Sequence, residues 1–142
     1  RSKGLFSKIL ETEKAEALKA LFRVKASDYW TTHYRFNKLS PRQQTKILGE
    51  DSIDTLIINV VVPFLFVYGE KQNQHHLKNR ALEFLEQLPP ESNSIIEKWR
   101  NLGVSARSAF ETQALLQLKN RHCSPKKCLA CPIGNKLVKG SG

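Results

Sequence analysis

The sequence has no methionine, only three cysteines and, after Glu111, no aspartate or glutamate. A small and odd number of cysteines argues against the disulfide framework of a secreted domain, so we expect a cytoplasmic protein. The first residues, RSKGLFSKIL, lack the apolar core of a signal peptide. Phosphate-binding loops, zinc-protease signatures and nucleophile elbows are missing as well. No catalytic residue can therefore be assigned, and whether the chain acts as an enzyme is left open.

The length and composition suit one compact domain. With 142 residues and 40% hydrophobic content, the chain is long enough to bury a core, so we predict a single domain over residues 1–142. Because the sequence starts at Arg1 and lacks methionine, we expect a fragment of a longer protein. We interpret residues 140–142, GSG, as a tag or a disordered end.

The net charge of +10 is distributed unevenly along the chain. Residues 1–46 contain eleven Lys or Arg against four Asp or Glu, residues 47–111 contain six against nine, and the residues after Glu111 contain six against none. Two basic ends therefore flank an acidic middle. If the ends meet in space, they form a patch that attracts phosphate backbones or an acidic protein surface. The alternative is that the lysines only keep a small domain soluble.

The strongest structural signal is the segment DSIDTLIINVVVPFLFVYG, from Asp51 to Gly69. Asp51 can cap a helix and Gly69 can end it, and residues 56–68 are apolar apart from Asn59, so we predict a central helix buried on every side. Pro63 lacks the backbone donor that would reach the carbonyl of Asn59, which predicts a kink. About 13 apolar residues are too few for a bilayer span, so we expect no membrane contact. A pair of buried strands is the alternative, because the first half of the segment is rich in β-branched residues.

Amphipathic patterns predict the remaining helices. Apolar residues recur at helical spacing within residues 5–10, 13–22, 77–88, 95–102 and 109–118. Ser94 opens one helix with a capping-box pattern, Gly103 ends it, and Ser105 or Ser108 starts the next. Residues 28–36, DYWTTHYRF, alternate as a strand does but also suit a short helix, so both possibilities stay open. We predict an all-α domain of about six helices around a proline-kinked central helix, with a cysteine knuckle near the C-terminus.

All three cysteines lie within QLKNRHCSPKKCLACPIG at the spacing C-x4-C-x2-C. Three thiolates at this spacing can converge on one metal ion. The same spacing opens the plant-type iron–sulfur pattern, but that pattern needs a fourth cysteine that this chain lacks. A zinc site would need an imidazole, either from the adjacent His122 or from His33 through the fold. We therefore predict zinc or an iron–sulfur cluster at Cys123, Cys128, Cys131 and His122.

Two alternatives to a metal site stay open. Cys128 and Cys131 could be small buried apolar residues beside Leu129 and Ile133. They could also form a redox-active C-x-x-C pair, although the strand–helix context of the oxidoreductases is missing. His33, which lies among aromatic residues, is more commonly a packed and hydrogen-bonded side chain than a ligand.

Four segments, taken in order, resemble one known family. They are DYWTTHYRF, LIINVVVPFLFVYG, ALEFLEQLPPESNSIIEKWRNLGV and AFETQALLQLKNRHCSPKKCLACPIGNKL. Together they are similar to the C-terminal part of the bacterial family domain of unknown function 2851, over nearly the whole chain. The resemblance implies that the family's cysteine motif corresponds to Cys123, Cys128 and Cys131. It also implies a preceding nuclease-like core of the PD-(D/E)XK kind, whose catalytic positions have no match here.

From these observations we expect a basic helical accessory domain that binds nucleic acid beside the nuclease-like region, with its C-terminus held by a metal. The phosphate contacts would come from Arg121, Lys126, Lys127, Lys136 and Lys139, without recognition of bases. The alternative is a structural or protein-interaction module whose buried cysteines bind no metal.

Overall fold

The computed structural model describes residues 4–140, and these residues are mostly helical. The chain divides into two compact units, Arg1–Phe84 (unit 1) and Leu85–Gly142 (unit 2). The sequence predicts a single domain, and the division into two compact units neither confirms nor contradicts that prediction. Of the expected tag, residues 141–142 lie outside the described residues, whereas Gly140 follows the last helix as its C-terminal cap.

Unit 1 consists of short helices, one small hairpin and one long helix. Its elements are α1 (Leu5–Glu11), α2 (Ala15–Ala20), α3 (Tyr29–Thr32), β1 (His33–Arg35), β2 (Lys38–Leu39), α4 (Glu50–Leu56), a π-helical segment (Ile57–Val61) and α5 (Val62–Lys71). Helix α6 (His75–Gln87) follows and continues across the unit boundary. The apolar stripe predicted for it is buried throughout, at Leu77, Ala81, Phe84, Leu85 and Leu88.

Helix α4, the π-helical segment and α5 form one continuous helix, Glu50–Lys71, which we call the central helix. Gly49 is its N-cap, so the prediction that Asp51 caps this helix was wrong. The prediction that Gly69 ends it was also wrong, because the helix continues to Lys71. A Cβ atom added at Gly69 would lie only 3.1 Å from Cβ of Leu77, so glycine here lets α5 and α6 approach each other closely.

The π-helical segment directly precedes the proline of the central helix. The amide of Val62 donates to the carbonyl of Ile57, five residues back, and Pro63 then lies in the first turn of α5. Because the central helix is continuous, the backbone donor that Pro63 lacks would otherwise have met a carbonyl of the preceding turn, and an interrupted hydrogen-bond ladder is typical at such a proline. The change of hydrogen-bond register therefore accommodates Pro63, while the kink itself stays a prediction.

The central helix is not buried on every side, contrary to the sequence prediction. Ile57 and Leu65 are fully buried, whereas Val60, Phe64 and Val67 are between 50% and 59% exposed. The helix is long and apolar enough to cross a membrane by length and composition alone, and 44% of its most apolar window is buried inside the protein. The core helix of a soluble protein meets the same criterion, so the absence of membrane contact stays a prediction.

Residues 28–36 contain both structures that the sequence left open. A single helical turn, α3, leads into β1, and β1 pairs antiparallel with β2. Asn37 at the turn has φ of +57°, in the left-handed region that asparagine tolerates better than most residues. The described residues are therefore mostly helical with one two-stranded hairpin, a small departure from a purely α fold.

Unit 2 contains α7 (Ser94–Asn101), α8 (Ala109–Leu118), a second π-helical segment (Lys119–Cys123), a 3-10 turn (Cys128–Ala130) and α9 (Pro132–Lys139). The start predicted for α7 is displaced by one residue. Asn93, not Ser94, is the N-cap, and its side chain accepts from the amides of Ile95 and Ile96 at 3.1 Å. Ser108 caps α8 as one of the two serines proposed for it.

A charge network joins α2 to the first turns of the central helix. Nζ of Lys19 lies 2.8 Å from Oδ1 of Asp54 and 3.2 Å from Oε2 of Glu50, and about one tenth of the Lys19 side chain is exposed. Nε of Arg23 donates to the same Glu50 at 2.8 Å. Hydrogen bonds from Arg23 and then Lys19 lower the pKa of Glu50 to about 2. The contact with Asp54 raises the pKa of Lys19, against the opposing effect of burial.

We predict that Asp54→Asn lowers the free energy of unfolding by about 3 kcal/mol, the lower end of the range for breaking a buried ion pair, because Glu50 still neutralises Lys19. Urea unfolding of the full chain measures the change. Asp28→Asn is the matched control, since the pair of Asp28 with Lys25 is exposed and should contribute less than about 1 kcal/mol. Equal losses in the two variants would contradict the importance of the buried pair.

Candidate functional site

The first candidate ligands lie at the end of a π-helical turn. The amide of Ser124 donates to the carbonyl of Lys119 at 2.8 Å, five residues back, so the helical path of α8 ends with one wider turn. This turn carries His122 and Cys123. π-Helical turns are frequent at functional sites because they redirect side chains that a regular helix would place elsewhere.

Backbone hydrogen bonds hold the loop between the first and second cysteines. The amide of Lys126 donates to the carbonyl of Cys123 at 3.1 Å, and the amide of Lys127 donates to the carbonyl of His122 at 2.8 Å. Lys126 has φ of +56°, which is uncommon for a residue with a side chain. The loop therefore has a defined shape that places two lysines next to the cysteines.

The second and third cysteines lie just before the first residue of the last helix. Cys128 begins the 3-10 turn, and the amide of Cys131 donates to the carbonyl of Cys128 at 3.2 Å. Cys131 is then the N-cap of α9, and Pro132 occupies its first turn. The C-x-x-C spacing thus corresponds to one tight turn followed by a helix start.

Gly134 lets the first turn of α9 lie directly on the backbone of Cys128. A Cβ atom at position 134 would lie 2.5 Å from the carbonyl oxygen of Cys128 and 3.0 Å from its Cα. Neither atom belongs to a side chain that could rotate away. Gly134 was not among the site residues predicted from the sequence, although its position three residues after Cys131 was a visible signal.

All four predicted unit 2 ligands line one cavity of about 240 Å³. They are Cys123, Cys128, Cys131 and His122, together with Trp99, Leu118, Ile133, Gly134 and Leu137. The three cysteines are free thiols, and only Cys131 is buried. The alternative in which Cys128 is a buried apolar residue does not fit its exposure.

His122 lines this cavity and has an unsatisfied buried atom. Its Nδ1 is buried and has no hydrogen-bond partner among residues 4–140. A buried polar atom without a partner costs about 1–3 kcal/mol, so the Nδ1 of His122 is expected to bind a group such as a metal ion or a water molecule. Three thiols and one imidazole are a common donor set for structural zinc. Within the described part of the chain, however, no group of three or more His, Cys, Asp or Glu side chains is arranged to hold a metal ion.

His33, the other proposed fourth ligand, belongs to unit 1. Its Nδ1 lies 2.9 Å from Oγ1 of Thr32 and 3.0 Å from the carbonyl oxygen of Tyr29. Its ring stacks on that of Tyr29 with centroids 4.0 Å apart. These contacts match the packed and hydrogen-bonded histidine that the sequence analysis weighed against a ligand.

The five proposed phosphate-binding residues are all exposed and all belong to unit 2. They are distributed over three segments of unit 2: Arg121 on the π-helical segment, Lys126 and Lys127 in the loop, and Lys136 and Lys139 on α9. Lys119, the remaining cation after Glu111, donates to Oγ of Ser124 at 2.7 Å instead. The structure thus places the five cations on the same small substructure as the cysteines.

The family comparison covers the first two thirds of the chain. A sequence model described as "Protein of unknown function (DUF2851)" matches residues 1–94. The match includes the hairpin, the central helix and α6, and it ends before the first cysteine. No curated protein and no solved structure matches the chain.

We predict that Gly134→Ala destabilises the cysteine loop by about 1–3 kcal/mol, because the new methyl group overlaps the backbone of Cys128. Thermal unfolding of the full chain and the reactivity of Cys131 toward a thiol reagent measure the effect, and Cys131 should react faster. Gly4→Ala is the control: no atom lies within 4 Å of the added Cβ there, and replacing this glycine N-cap of α1 by alanine should cost at most about 1 kcal/mol and leave Cys131 reactivity unchanged. Unaltered Cys131 reactivity would contradict the close contact.

Proposed function

This chain belongs to the family Protein of unknown function (DUF2851), and we propose that its unit 2 binds nucleic acid through the phosphate backbone, beside the nuclease-like region that the resemblance implies. The observation that carries the proposal is the group of five exposed cations around the cysteine loop. The sequence after Glu111 contains six Lys or Arg and no Asp or Glu. A concentrated positive field of this kind attracts polyanions and releases their counterions on binding.

The composition of this surface favours backbone contacts over base recognition. The residues after Phe110 include no Phe, Trp or Tyr on which a base could stack. Four of the five cations are lysines, which interact with phosphate as point charges. Binding by unit 2 is therefore expected to depend on ionic strength and little on sequence.

We also propose that a zinc ion holds the cysteine loop through Cys123, Cys128, Cys131 and His122. The shared cavity and the unpaired Nδ1 of His122 support this assignment. An ion here would tie together a π-helical turn, a 3-10 turn and an eight-residue helix, which is too short to be stable by itself. Zinc would supply cross-linking and no chemistry. A three-cysteine iron–sulfur cluster with another fourth ligand is the rival cofactor.

A protein-interaction role is the second candidate, and the exposed apolar residues at the C-terminal end favour it. Leu129, Ile133, Leu137 and Val138 are between 56% and 70% exposed, which is a large apolar surface for so short a segment. An apolar interface responds weakly to salt, whereas phosphate binding responds strongly. Salt dependence therefore separates the two functions.

We predict that the full chain binds a random-sequence DNA duplex with an affinity that falls steeply with salt. Changing Arg121, Lys126, Lys127, Lys136 and Lys139 to glutamine should flatten the slope of log K against log[salt] by about 0.9 for each lost phosphate contact. Fluorescence anisotropy over a series of salt concentrations measures both slopes.

The control for this charge removal is the double variant Lys98→Gln, Arg100→Gln, which neutralises two exposed cations of α7. The slope of log K against log[salt] for this variant should differ from that of the wild type by less than the value of about 0.9 that corresponds to one phosphate contact. A flat salt response of the wild-type chain would rule out the phosphate-binding function and favour the protein-interaction candidate.

We predict about one zinc per chain, lost in Cys128→Ser and His122→Gln and retained in His75→Gln, whose histidine is exposed at the start of α6. Elemental analysis gives the stoichiometry, and the visible spectrum separates colourless zinc from a coloured iron–sulfur cluster. A chelator should lower Tm of the wild type and leave Cys128→Ser unaffected. Metal-free protein whose Tm is unchanged by added zinc would contradict the site.

A further inference from the structure

A second basic surface lies in unit 1, on the hairpin and the chain around it. Strand β1 joins β2 through a turn at Phe36 and Asn37, and the amide of Asn37 donates to Oη of Tyr29 at 2.9 Å. Nζ of Lys46 donates to the carbonyl of His33 at 2.6 Å. The first bond fixes the tip of the hairpin to α3, and the second fixes the start of β1 to the following chain. We call residues 29–39 the aromatic hairpin.

The aromatic hairpin exposes rings that a protein would normally bury. Phe36 is 78% exposed, Tyr34 51% and Tyr29 39%. Phe36 meets Trp30 edge to face with centroids 5.1 Å apart, so one side of its ring is supported while most of its surface stays free. The His33 ring covers one face of Tyr29, and the guanidinium of Arg35 lies 5.9 Å from the centroid of the Tyr34 ring, so Phe36 has the most open ring of the three.

The chain segment that carries these rings is rich in cations and poor in carboxylates. Residues 23–49 contain six Lys or Arg and one acid, Asp28, which is paired with Lys25, while Arg23 is paired with Glu16 and Glu50 outside this range. Arg35 and Lys38 face each other across the hairpin register, and Arg42 follows shortly after. All three are exposed.

We propose that the aromatic hairpin binds single-stranded nucleic acid, with bases stacked on Phe36 and Tyr34 and phosphates held by Arg35, Lys38 and Arg42. Exposed aromatic faces alternating with cations are the combination that single strands use, because unpaired bases offer faces for stacking and each nucleotide carries a phosphate. A duplex keeps its base faces stacked inside and cannot use the rings. The inference rests on the proposed nucleic-acid function. It adds that the surface in unit 1 binds single-stranded rather than duplex nucleic acid.

The test measures binding of the full chain to an oligothymidylate of about 12 nucleotides and to a DNA duplex of equal length at one fixed salt concentration. Phe36→Leu and Tyr34→Leu keep an apolar side chain and remove the ring. Each should weaken single-strand binding about tenfold and leave duplex binding unchanged. Phe36→Trp should retain wild-type affinity, because indole also stacks.

Phe64→Leu is the matched control, since Phe64 is half exposed on the central helix and lies outside the hairpin. Its single-strand affinity should equal that of the wild type. Circular dichroism and Tm confirm that each variant is folded. A variant that loses both the ring and binding without a change in Tm supports stacking on the hairpin.

Other outcomes separate this inference from the proposed function of unit 2. If the leucine variants bind oligothymidylate as tightly as the wild type while the unit 2 glutamine variant loses duplex binding, the hairpin inference is wrong and the unit 2 function stands. If the leucine variants lose single-strand binding and the unit 2 glutamine variant keeps its duplex binding, the hairpin inference stands and the function proposed for unit 2 is wrong. Binding to anionic lipid vesicles without binding to oligothymidylate overturns the hairpin inference in favour of a membrane surface.

Discussion

The ammonium group of Lys19 is the contact on which the arrangement of unit 1 depends. It lies on α2 and meets carboxylates from two successive turns of the central helix, at Glu50 and Asp54. A nearly buried cation needs these partners, because an unpaired charge in such a place is far more costly than an unpaired polar group. The pairing therefore holds the first turns of the central helix against α2. Val60, Phe64 and Val67, farther along the same helix, stay exposed.

The sequence predicts those parts of the fold in which a residue pattern has one physical solution. The stripe of α6 is strictly periodic, so its five apolar residues are all buried as expected. The central helix is apolar all round, and composition then cannot say which face the remaining chain is large enough to cover. Pro63 signals a disturbance in the central helix, but the sequence does not say that the disturbance takes the form of a π-helical turn just before the proline. The displaced cap of α7 has a similar cause, since Asn93 and Ser94 are both good capping residues.

The candidate site also has features that the sequence predicts and features that only the structure shows. The spacing of three cysteines is sufficient to predict that they lie close together, and they do line one cavity. The unpaired Nδ1 of His122 depends on the π-helical turn, so it could only be found from coordinates. The contact of Gly134 with the backbone of Cys128 was likewise hidden, although a glycine so close to a C-x-x-C turn could have been questioned. The family match ends at residue 94, so the function proposed for the cysteine loop rests on the chemistry of its own residues.

Each of the two π-helical segments corresponds to one extra residue inserted into an otherwise α-helical path. Relative to a regular α-helix, each extra residue rotates the residues that follow it by about 100° around the helix axis. At residues 119–123 this rotation decides which side of the chain carries His122 and Cys123. Related sequences that lack the extra residue would need a gap at that place to be compared correctly. An alignment without the gap would pair the histidine with a residue on another face, and the relationship between the two sites would be overlooked.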